Sequence, residues 1–315
     1  MYRAVLGIDT SNYKTSVAIV SQEGGIICNL QRFLDVKKGE RGLRQSVALF
    51  QHVNRLPEMI EEAFAALPPD VCLSGVAVSS RPRPVDGSYM PVFLAGVSIA
   101  RSIAAAKGVP LFFFSHQEGH VAAVQYASLV EASPRFLSFH LSGGTTECLL
   151  VEGNHIQIVG GSKDLAFGQV LDRVGVALGY AFPCGQELDR LAAEEGSNGP
   201  VKGNLLPKIK CSEGYINLSG IETKCQQMIG HIDDKQLSVM LMERVCQAMA
   251  DLAQQLSKKY HTEDILFAGG VSASSYIRKY LPDRLSGLKC CFGDPALSCD
   301  NAVGVALLGG RKIWL

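Results

Sequence analysis

One order of strands and turns occurs twice in the chain and restricts the folds available to it. Residues 4–34 have the pattern of strand, tight turn, strand, turn and third strand, and residues 136–160 repeat it. Each copy is followed by segments with helical spacing that alternate with short apolar strands. This repetition predicts two α/β domains, each with a mixed five-stranded sheet, and a ligand cleft between them.

Helix and strand signals fill the rest of each half. We place the first domain at residues 1–130 and the second at 131–315. In the first, the sequence predicts helices at 44–66 and 94–107 and strands at 75–79 and 110–114. In the second, it predicts helices at 167–178, 186–195 and 237–260, a strand at 264–268, and a further helix after the turn at Gly269.

Composition excludes several classes of protein. A chain of 315 residues with 47% hydrophobic and 19% charged residues can bury the cores of two domains. It contains neither a signal-peptide pattern nor an apolar run long enough for a membrane span. The 30 basic and 30 acidic residues give no global charge that favours nucleic acid. Ten cysteines without a CxxC pair indicate reduced core thiols rather than a zinc ribbon or a disulfide framework, so we expect a cytoplasmic protein.

Two histidines at helical spacing are the strongest signal for a metal. His116 and His120 are four residues apart, so on a helix their side chains lie on one face and can share an ion. Asp300 would complete a two-histidine, one-carboxylate set, which suits iron or zinc with open coordination positions. The alternatives are an exposed histidine pair without metal and, for Asp300, a helix N-cap.

Two turns at equivalent places in the repeat carry phosphate-binding chemistry. They are Asp9-Thr10-Ser11 and Ser142-Gly143-Gly144-Thr145-Thr146, in which hydroxyls, and in the second also glycines, offer donors to phosphate oxygens. Each taken alone could equally be a hairpin turn. Their recurrence in both units favours binding.

Further nucleotide contacts are predicted in the second half. Gly269 and Gly270 follow a buried strand and allow close approach of a ring or phosphate, although a strand-to-helix turn needs glycine in any case. Asp172 and Asp189 flank a glycine-bearing loop and could accept ribose hydroxyls. Solvated helix-face carboxylates are the alternative for both.

Taken in order, these motifs resemble the TsaD/Kae family, the enzymes of tRNA threonylcarbamoyladenosine synthesis, once described as O-sialoglycoprotein endopeptidases. The resemblance runs nearly end to end and rests on seven motifs. These are Gly7-Ile-Asp-Thr-Ser11, His116-Gln-Glu-Gly-His120, Ser142-Gly-Gly-Thr-Thr-Glu147, Gly168-Gln-Val-Leu-Asp172, Ser219-Gly-Ile-Glu-Thr-Lys224, Ala268-Gly-Gly-Val-Ser-Ala273 and Cys299-Asp-Asn-Ala302.

The resemblance implies an ASKHA fold, with two actin-like (duplicated RNase H-like) α/β domains and an interdomain cleft. It also implies one divalent metal, iron or zinc, and an adenine nucleotide, either ATP or AMP or threonylcarbamoyl-AMP. The implied roles are metal binding for His116, His120 and Asp300; acyl-group and phosphate contact for Ser142, Gly143, Gly144 and Thr145; and nucleotide binding for Asp9, Thr10, Ser11, Thr146, Asp172, Gly185, Asp189, Gly269, Gly270 and Ser274.

Four places depart from the family pattern. The family's Gly-Pro-Gly loop is Arg81-Pro-Arg-Pro84 here, its Gly-Glu is Gly168-Gln169, its Tyr/Phe-Pro-Gly-Gly-Pro loop is Phe182-Pro-Cys-Gly-Gln186, and an asparagine is replaced by Ser274. Because these changes surround the nucleotide and leave the metal set intact, they favour a diverged paralogue.

The leading prediction is a metal- and nucleotide-dependent transferase that moves a threonylcarbamoyl group to adenosine 37 of tRNA. The alternatives are a paralogue with another carbamoyl acceptor and a non-catalytic scaffold that binds nucleotide. The resemblance further implies tRNA, a smaller homologous subunit and an ATPase as partners. A peptidase is not expected, because HExxH would place glutamate directly after the first histidine, where Gln117 stands.

Overall fold

The computed structural model describes residues 2–11, 14–35, 43–153, 155–195, 203–298 and 301–314. The chain forms two compact units. Unit 1 comprises Met1–Tyr126 and Ala296–Leu315, and unit 2 comprises Ala127–Pro295. The division expected after residue 130 lies close to the one observed after Tyr126. The C-terminal segment differs from expectation, since it belongs to unit 1 and not to the second domain.

Unit 1 is built on a five-stranded sheet in the order β3-β2-β1-β4-β5. Its strands are β1 (Tyr2–Asp9), β2 (Lys14–Ser21), β3 (Ile26–Phe33), β4 (Val71–Arg81) and β5 (Leu111–Ser115). The first three strands pair antiparallel, whereas β4 runs parallel to β1 and β5 runs parallel to β4. The alternating apolar residues of these strands form a core with the helices that cover the sheet.

Unit 2 repeats this arrangement. Its strands are β6 (Arg135–Leu141), β7 (Thr146–Glu152), β8 (His155–Ser162), β9 (Tyr215–Ile216), β10 (Asp264–Ala268) and β11 (Lys289–Phe292). The order β11-β10-β6-β7-β8 matches that of β5-β4-β1-β2-β3, with the same strand directions. The predicted duplication is therefore confirmed. A sixth strand corrects the expected number, because the two residues of β9 pair with the outer edge of β8.

Nine helices are described around the two sheets. They are α1 (Gln45–Ala65), α2 (Phe93–Lys107), α3 (His116–Gln125), α4 (Phe167–Ala177), α5 (Gly185–Glu195), α6 (Ser219–Met228), α7 (Asp234–Tyr260), α8 (Ser275–Arg284) and α9 (Val303–Trp314). The predicted helices are confirmed to within a few residues. The short helix α6 was not predicted, because its apolar residues are too few to give a clear period.

The last helix, α9, explains why the C-terminus belongs to unit 1. Its apolar side chains pack on β1, β2 and β4, and its first turn packs on α3. A side chain at Gly304 would collide with the Gly119 carbonyl, so glycine at this position lets the two helix backbones touch. This close contact brings the start of α9 to the helix that carries the two histidines.

In the described part of the chain, no helix is long and apolar enough to cross a membrane. The nine cysteines described are free thiols. Burial raises the pKa of several of them, for example to about 12 for Cys225 and Cys246, which keeps these thiols protonated.

Candidate functional site

The two histidines lie in the first turns of α3, as their spacing predicts. Ser115 caps this helix, with its hydroxyl accepting a hydrogen bond from the Glu118 amide at 3.1 Å. The Glu118 carboxylate in turn accepts from the Ser115 amide at 2.7 Å and from the Ser115 hydroxyl at 2.6 Å. This capping box fixes the position of His116 at the first helical residue. It also occupies Glu118, so this glutamate is not placed to act as a peptidase base.

The imidazole rings of His116 and His120 lie next to each other. Their centroids are 4.3 Å apart and the rings are nearly perpendicular, at 82°. The His116 side chain is one-fifth exposed, at 20%. Two neighbouring rings that are partly accessible at the start of a helix can direct nitrogen lone pairs at one ion.

Asp9 occupies a different position from the one predicted for a phosphate contact. Its carboxylate ends β1 and is only 1% exposed. One oxygen lies 2.9 Å from Nδ1 of His116, and the other accepts a hydrogen bond from the Ser11 amide at 3.0 Å. Burial alone would raise the pKa of Asp9, but the His116 imidazole and hydrogen bonds from His116 and Ser11 lower it below its ordinary value. The carboxylate therefore faces the histidine.

The two hydroxyls after Asp9 have unlike surroundings. Thr10 is fully buried, and its hydroxyl donates to the Val92 carbonyl at 3.0 Å and accepts from the Gly96 amide at 3.3 Å. Thr10 thus holds the start of α2 through both hydrogen bonds of its hydroxyl. The Ser11 hydroxyl is also buried but has no hydrogen-bond partner among the described residues. A buried hydroxyl of this kind fits a site that receives a further polar group.

Asp300, the predicted third metal ligand, lies outside the described residues. Within the described part of the chain, no group of three His, Cys, Asp or Glu side chains could hold a metal ion. The segment that follows it is described: the Asn301 side chain accepts from the Val303 amide at 3.0 Å and so caps α9. A side chain at Gly7 would collide with the Ala302 carbonyl, which places this segment against the end of β1. Three segments, at the end of β1 and the starts of α3 and α9, thus meet in unit 1.

In unit 2, the turn from Ser142 to Thr145 connects β6 and β7. The Ser142 hydroxyl accepts from the amides of Gly144, at 3.4 Å, and Thr145, at 3.1 Å. A side chain at Gly143 or Gly144 would meet open space. The backbone of this turn is therefore accessible, whereas the Ser142 hydroxyl stabilises the turn itself.

The Thr146 side chain makes a hydrogen bond within the protein. Its hydroxyl accepts a hydrogen bond from the Phe167 amide at 2.9 Å, at the start of α4. At 5% exposure it is buried. The structure therefore assigns Thr146 a capping bond where the sequence predicted a nucleotide contact.

A cavity of about 530 Å³ in unit 2 gathers five of the ten residues predicted for nucleotide binding. Five chain segments contribute to it: the β6–β7 turn, α4, the start of α5 with the residues before it, α7, and the turn that leads into α8. The predicted residues that line it are Gly143, Asp172, Gly185, Asp189, Gly270 and Ser274. Gly269 instead packs closely against β6. A side chain at this position would collide with the Leu141 carbonyl, and the positive φ of 94° also favours glycine.

Several lining residues were not predicted. They are Gly168, Leu171, Pro183, Gln186, Met242, Val271, Ala273 and Ser275. Met242 comes from the long helix α7, where one methionine on an apolar face carries no distinguishing sequence signal. A lining that combines apolar side chains with carboxylates and hydroxyls suits a ligand with a flat ring and a polyol, such as a nucleoside.

The polar groups of the cavity are held by defined partners. Asp172 accepts from the Cys184 amide at 2.8 Å. Asp189 accepts from the Ser275 amide at 2.8 Å, the Tyr276 amide at 3.0 Å and the Ser274 hydroxyl. Both carboxylates are thus oriented by backbone donors. Asp172 keeps acceptor capacity for a ligand hydroxyl, whereas Asp189 already accepts a fourth hydrogen bond, from the Ser275 hydroxyl at 2.8 Å.

Two departures from the family pattern have structural roles. The Gln169 side chain accepts from the Ala166 amide at 2.9 Å and so caps α4, as glutamate would at this position. The Ser274 hydroxyl accepts from the Ile277 amide at 3.1 Å and caps α8, which asparagine would also do. These two replacements therefore preserve local structure, and they weaken the inference of a diverged paralogue.

The amino-acid sequence is similar to known proteins over most of its length. The family model of TsaD, described as tRNA N6-adenosine threonylcarbamoyltransferase, matches residues 33–307. A relative from Geobacillus thermodenitrificans, named tRNA N6-adenosine threonylcarbamoyltransferase, is 30% identical, and the match covers 98% of this chain and 92% of that protein. The similarity thus extends over nearly the full length of both chains.

Solved structures show the fold. Full-length HypF in its phosphate- and nucleotide-bound form has a TM-score of 0.63 at 12% identity, covering 99% of this chain but 56% of HypF, so the chain spans little more than half of that protein. Component A of (R)-2-hydroxyglutaryl-CoA dehydratase from Acidaminococcus fermentans has a TM-score of 0.56 at 15% identity, with 98% of both chains covered. These similarities confirm the ASKHA-type α/β fold.

Proposed function

The chain belongs to the TsaD family of tRNA N6-adenosine threonylcarbamoyltransferases, and on this premise we propose that it transfers a threonylcarbamoyl group to an adenosine of tRNA. The observation that carries the proposal is the family relationship over nearly the whole chain, together with the neighbouring rings of His116 and His120. The donor proposed is threonylcarbamoyl-AMP, a mixed anhydride.

Unit 1 would hold the metal. His116 and His120 are the proposed ligands, and Asp300 is the proposed third, supported by the approach of its neighbours Ala302 and Gly304 to β1 and α3. The buried Ser11 hydroxyl and the paired rings fit such a site. Bound there, iron or zinc would act as a Lewis acid that polarises the donor's carbonyl.

Unit 2 would hold the nucleotide part of the donor. Gly143, Gly185 and Gly270 line the cavity without side chains and let the ligand approach the backbone closely. Asp172 would accept a hydrogen bond from a ribose hydroxyl, and Asp189 would accept one in place of the Ser274 or Ser275 hydroxyl. In the β6–β7 turn, the amides of Ser142, Gly144 and Thr145 bond within the turn, so the Gly143 amide would donate to the phosphate, where negative charge develops as AMP leaves.

The reaction is an acyl transfer in which atoms balance simply. The adenosine N6 amine forms a bond to the carbamoyl carbon and loses one proton to solvent, the bond from that carbon to the phosphate oxygen breaks, and AMP leaves with the bonding electron pair. The proposed role of the chain's own residues is to hold the donor's carbonyl group next to the acceptor amine. Holding two reactants in the correct orientation strongly accelerates a bimolecular reaction. Partner subunits, a smaller homologue and an ATPase, are proposed from the resemblance.

The proposal is tested by supplying purified protein with iron or zinc, threonylcarbamoyl-AMP and unmodified tRNA, and by analysing the tRNA nucleosides by mass spectrometry. We expect threonylcarbamoyladenosine and one AMP per transfer. Parallel reactions with the smaller homologue and the ATPase test the partner requirement. A donor that is bound but never transferred to tRNA, with or without those partners, would identify a scaffold, and transfer only to another amine would identify the paralogue.

A further inference from the structure

Asp9 and His116 form a buried carboxylate–imidazole pair next to the proposed metal ligands. The carboxylate oxygen is 2.9 Å from Nδ1 of the ring, and Asp9 is 1% exposed. An ionised carboxylate can only accept hydrogen bonds. In the neutral ring the proton must therefore lie on Nδ1, so that Nε2 is the unprotonated nitrogen.

We propose that Asp9 is a positioning residue, which holds the His116 proton on Nδ1 and so presents Nε2 to a metal ion. The inference rests on the metal site of the proposed function. Ligand histidines commonly donate their second ring nitrogen to a carboxylate, which fixes both the tautomer and the ring orientation. Asp9 itself is not a ligand in this arrangement, because its oxygens are directed at Nδ1 and at the Ser11 amide.

Both partners of the pair have rigid supports. Asp9 is the last residue of β1, paired with Ser16 of β2, and its second oxygen accepts from the Ser11 amide at 3.0 Å. His116 is fixed by the Ser115–Glu118 capping box at the start of α3. Since neither backbone can shift easily, the ring orientation depends on the side-chain hydrogen bond between them.

Asp9→Asn is the informative substitution because the Ser11 amide fixes the orientation of the new side chain. That amide donates to Oδ1, so the asparagine carbonyl must stay there and its NH2 group must face His116. An NH2 donor favours a ring with its proton on Nε2, the nitrogen that should bind the metal. The substitution thus reverses the tautomer without changing the shape of the residue.

The experiment uses ¹⁵N-histidine-labelled, metal-free protein above the titration range of the ring, with the His116 signal assigned by its loss in His116→Ala. We expect Nδ1–H in the wild type and Nε2–H in Asp9→Asn. Co²⁺ affinity should fall about 10- to 100-fold in Asp9→Asn. Asp9→Glu, which keeps a carboxylate, should recover part of it. Asp164→Asn, at a carboxylate that caps α6 in unit 2, is the matched control and should change neither reading.

A wild-type His116 with its proton on Nε2 would overturn the inference without any variant. Unchanged tautomer and Co²⁺ affinity in Asp9→Asn would also overturn it. Both readings are independent of transfer, so a protein that fails to modify tRNA but shows the tautomer reversal and weaker Co²⁺ binding would contradict the proposed function and support the role of Asp9.

Discussion

The hydroxyl of Ser274 donates a hydrogen bond to the carboxylate of Asp189, so two side chains that the family resemblance assigns to a nucleotide are also bonded to each other. Together they hold the first turn of α8, where Ser274 caps the Ile277 amide and Asp189 accepts from two further amides. The N-terminus of α8 thus lines the cavity, and it is fixed by Ser274 at its own start and by Asp189 of α5.

From this relationship we predict that Ser274→Ala lowers the free energy of unfolding by about 1 kcal/mol, because the cap of α8 is lost. Ser274→Asn, which introduces the residue typical of the family, should stay within about 0.5 kcal/mol of the wild type. Denaturant titration of the three proteins measures both values. Equal losses in the two variants would show that capping is not the role of Ser274.

Gln169 should behave as a cap and not as a missing catalytic carboxylate. Gln169→Ala should cost about 1 kcal/mol, because the Ala166 amide loses its partner. Gln169→Glu should keep the cap and gain up to about 1 kcal/mol from the helix dipole. Transfer rates of wild type and Gln169→Glu are compared at saturating donor. A large increase with glutamate would contradict the structural role.

The glycines at the cavity allow a matched test of nucleotide binding. A methyl group at Gly270 would extend into the open space of the cavity, and we expect Gly270→Ala to weaken AMP binding roughly 5- to 100-fold, the equivalent of about 1–3 kcal/mol of overpacking. Gly220→Ala, at an exposed position of α6, also meets open space and is not among the residues lining the cavity, so it is the control. Calorimetric AMP affinities that are equal in both variants would place the nucleotide elsewhere.

Asp164 predicts a specific dependence of stability on pH. Its carboxylate accepts from the Leu218 amide at 2.7 Å and the Ser219 amide at 3.0 Å, at the start of α6. Although burial acts to raise the pKa of Asp164, these backbone hydrogen bonds lower it far below the ordinary value of 3.8. A lowered pKa means that the stabilisation is fully present above about pH 4 and is lost as the pH falls through the folded-state value.

Asp164→Ala should therefore be less stable than the wild type by about 0.5–2 kcal/mol at neutral pH, the usual cost of a lost cap. The difference between the two proteins should shrink as the pH is lowered below 4. Urea unfolding across a pH series measures it. A difference that is constant with pH would mean that the ionised carboxylate does not carry the stabilisation.

The sequence predicted the elements well because their signals are local. The repeated strand order, the periods of α1 and α7, and the spacing of His116 and His120 can all be recognised within short windows. Gln169 could also have been recognised as a capping residue, since it stands at the third position of a predicted helix. That signal was read instead as the loss of a functional carboxylate.

What the sequence could not reveal depends on contacts between distant residues. Asp9 and His116 are 107 residues apart, and Asp189 and Ser274 are 85 apart. An Asp-Thr-Ser turn looks the same whether its carboxylate faces a phosphate or a histidine, so the burial of Asp9 and Thr10 was missed. The return of α9 to unit 1 likewise depends on the close contact of Gly119 with Gly304.

The most direct test of the account is a metal titration of single-turnover transfer. Metal-free protein is loaded with threonylcarbamoyl-AMP and tRNA, and product is measured against added iron or zinc. We predict that product rises to a plateau at about one equivalent of metal per chain. The combined substitution His116→Ala and His120→Ala should abolish this rise, whereas His155→Ala, an exposed histidine of unit 2, should keep it. Full transfer by the metal-free protein, or by the double variant, would contradict the account.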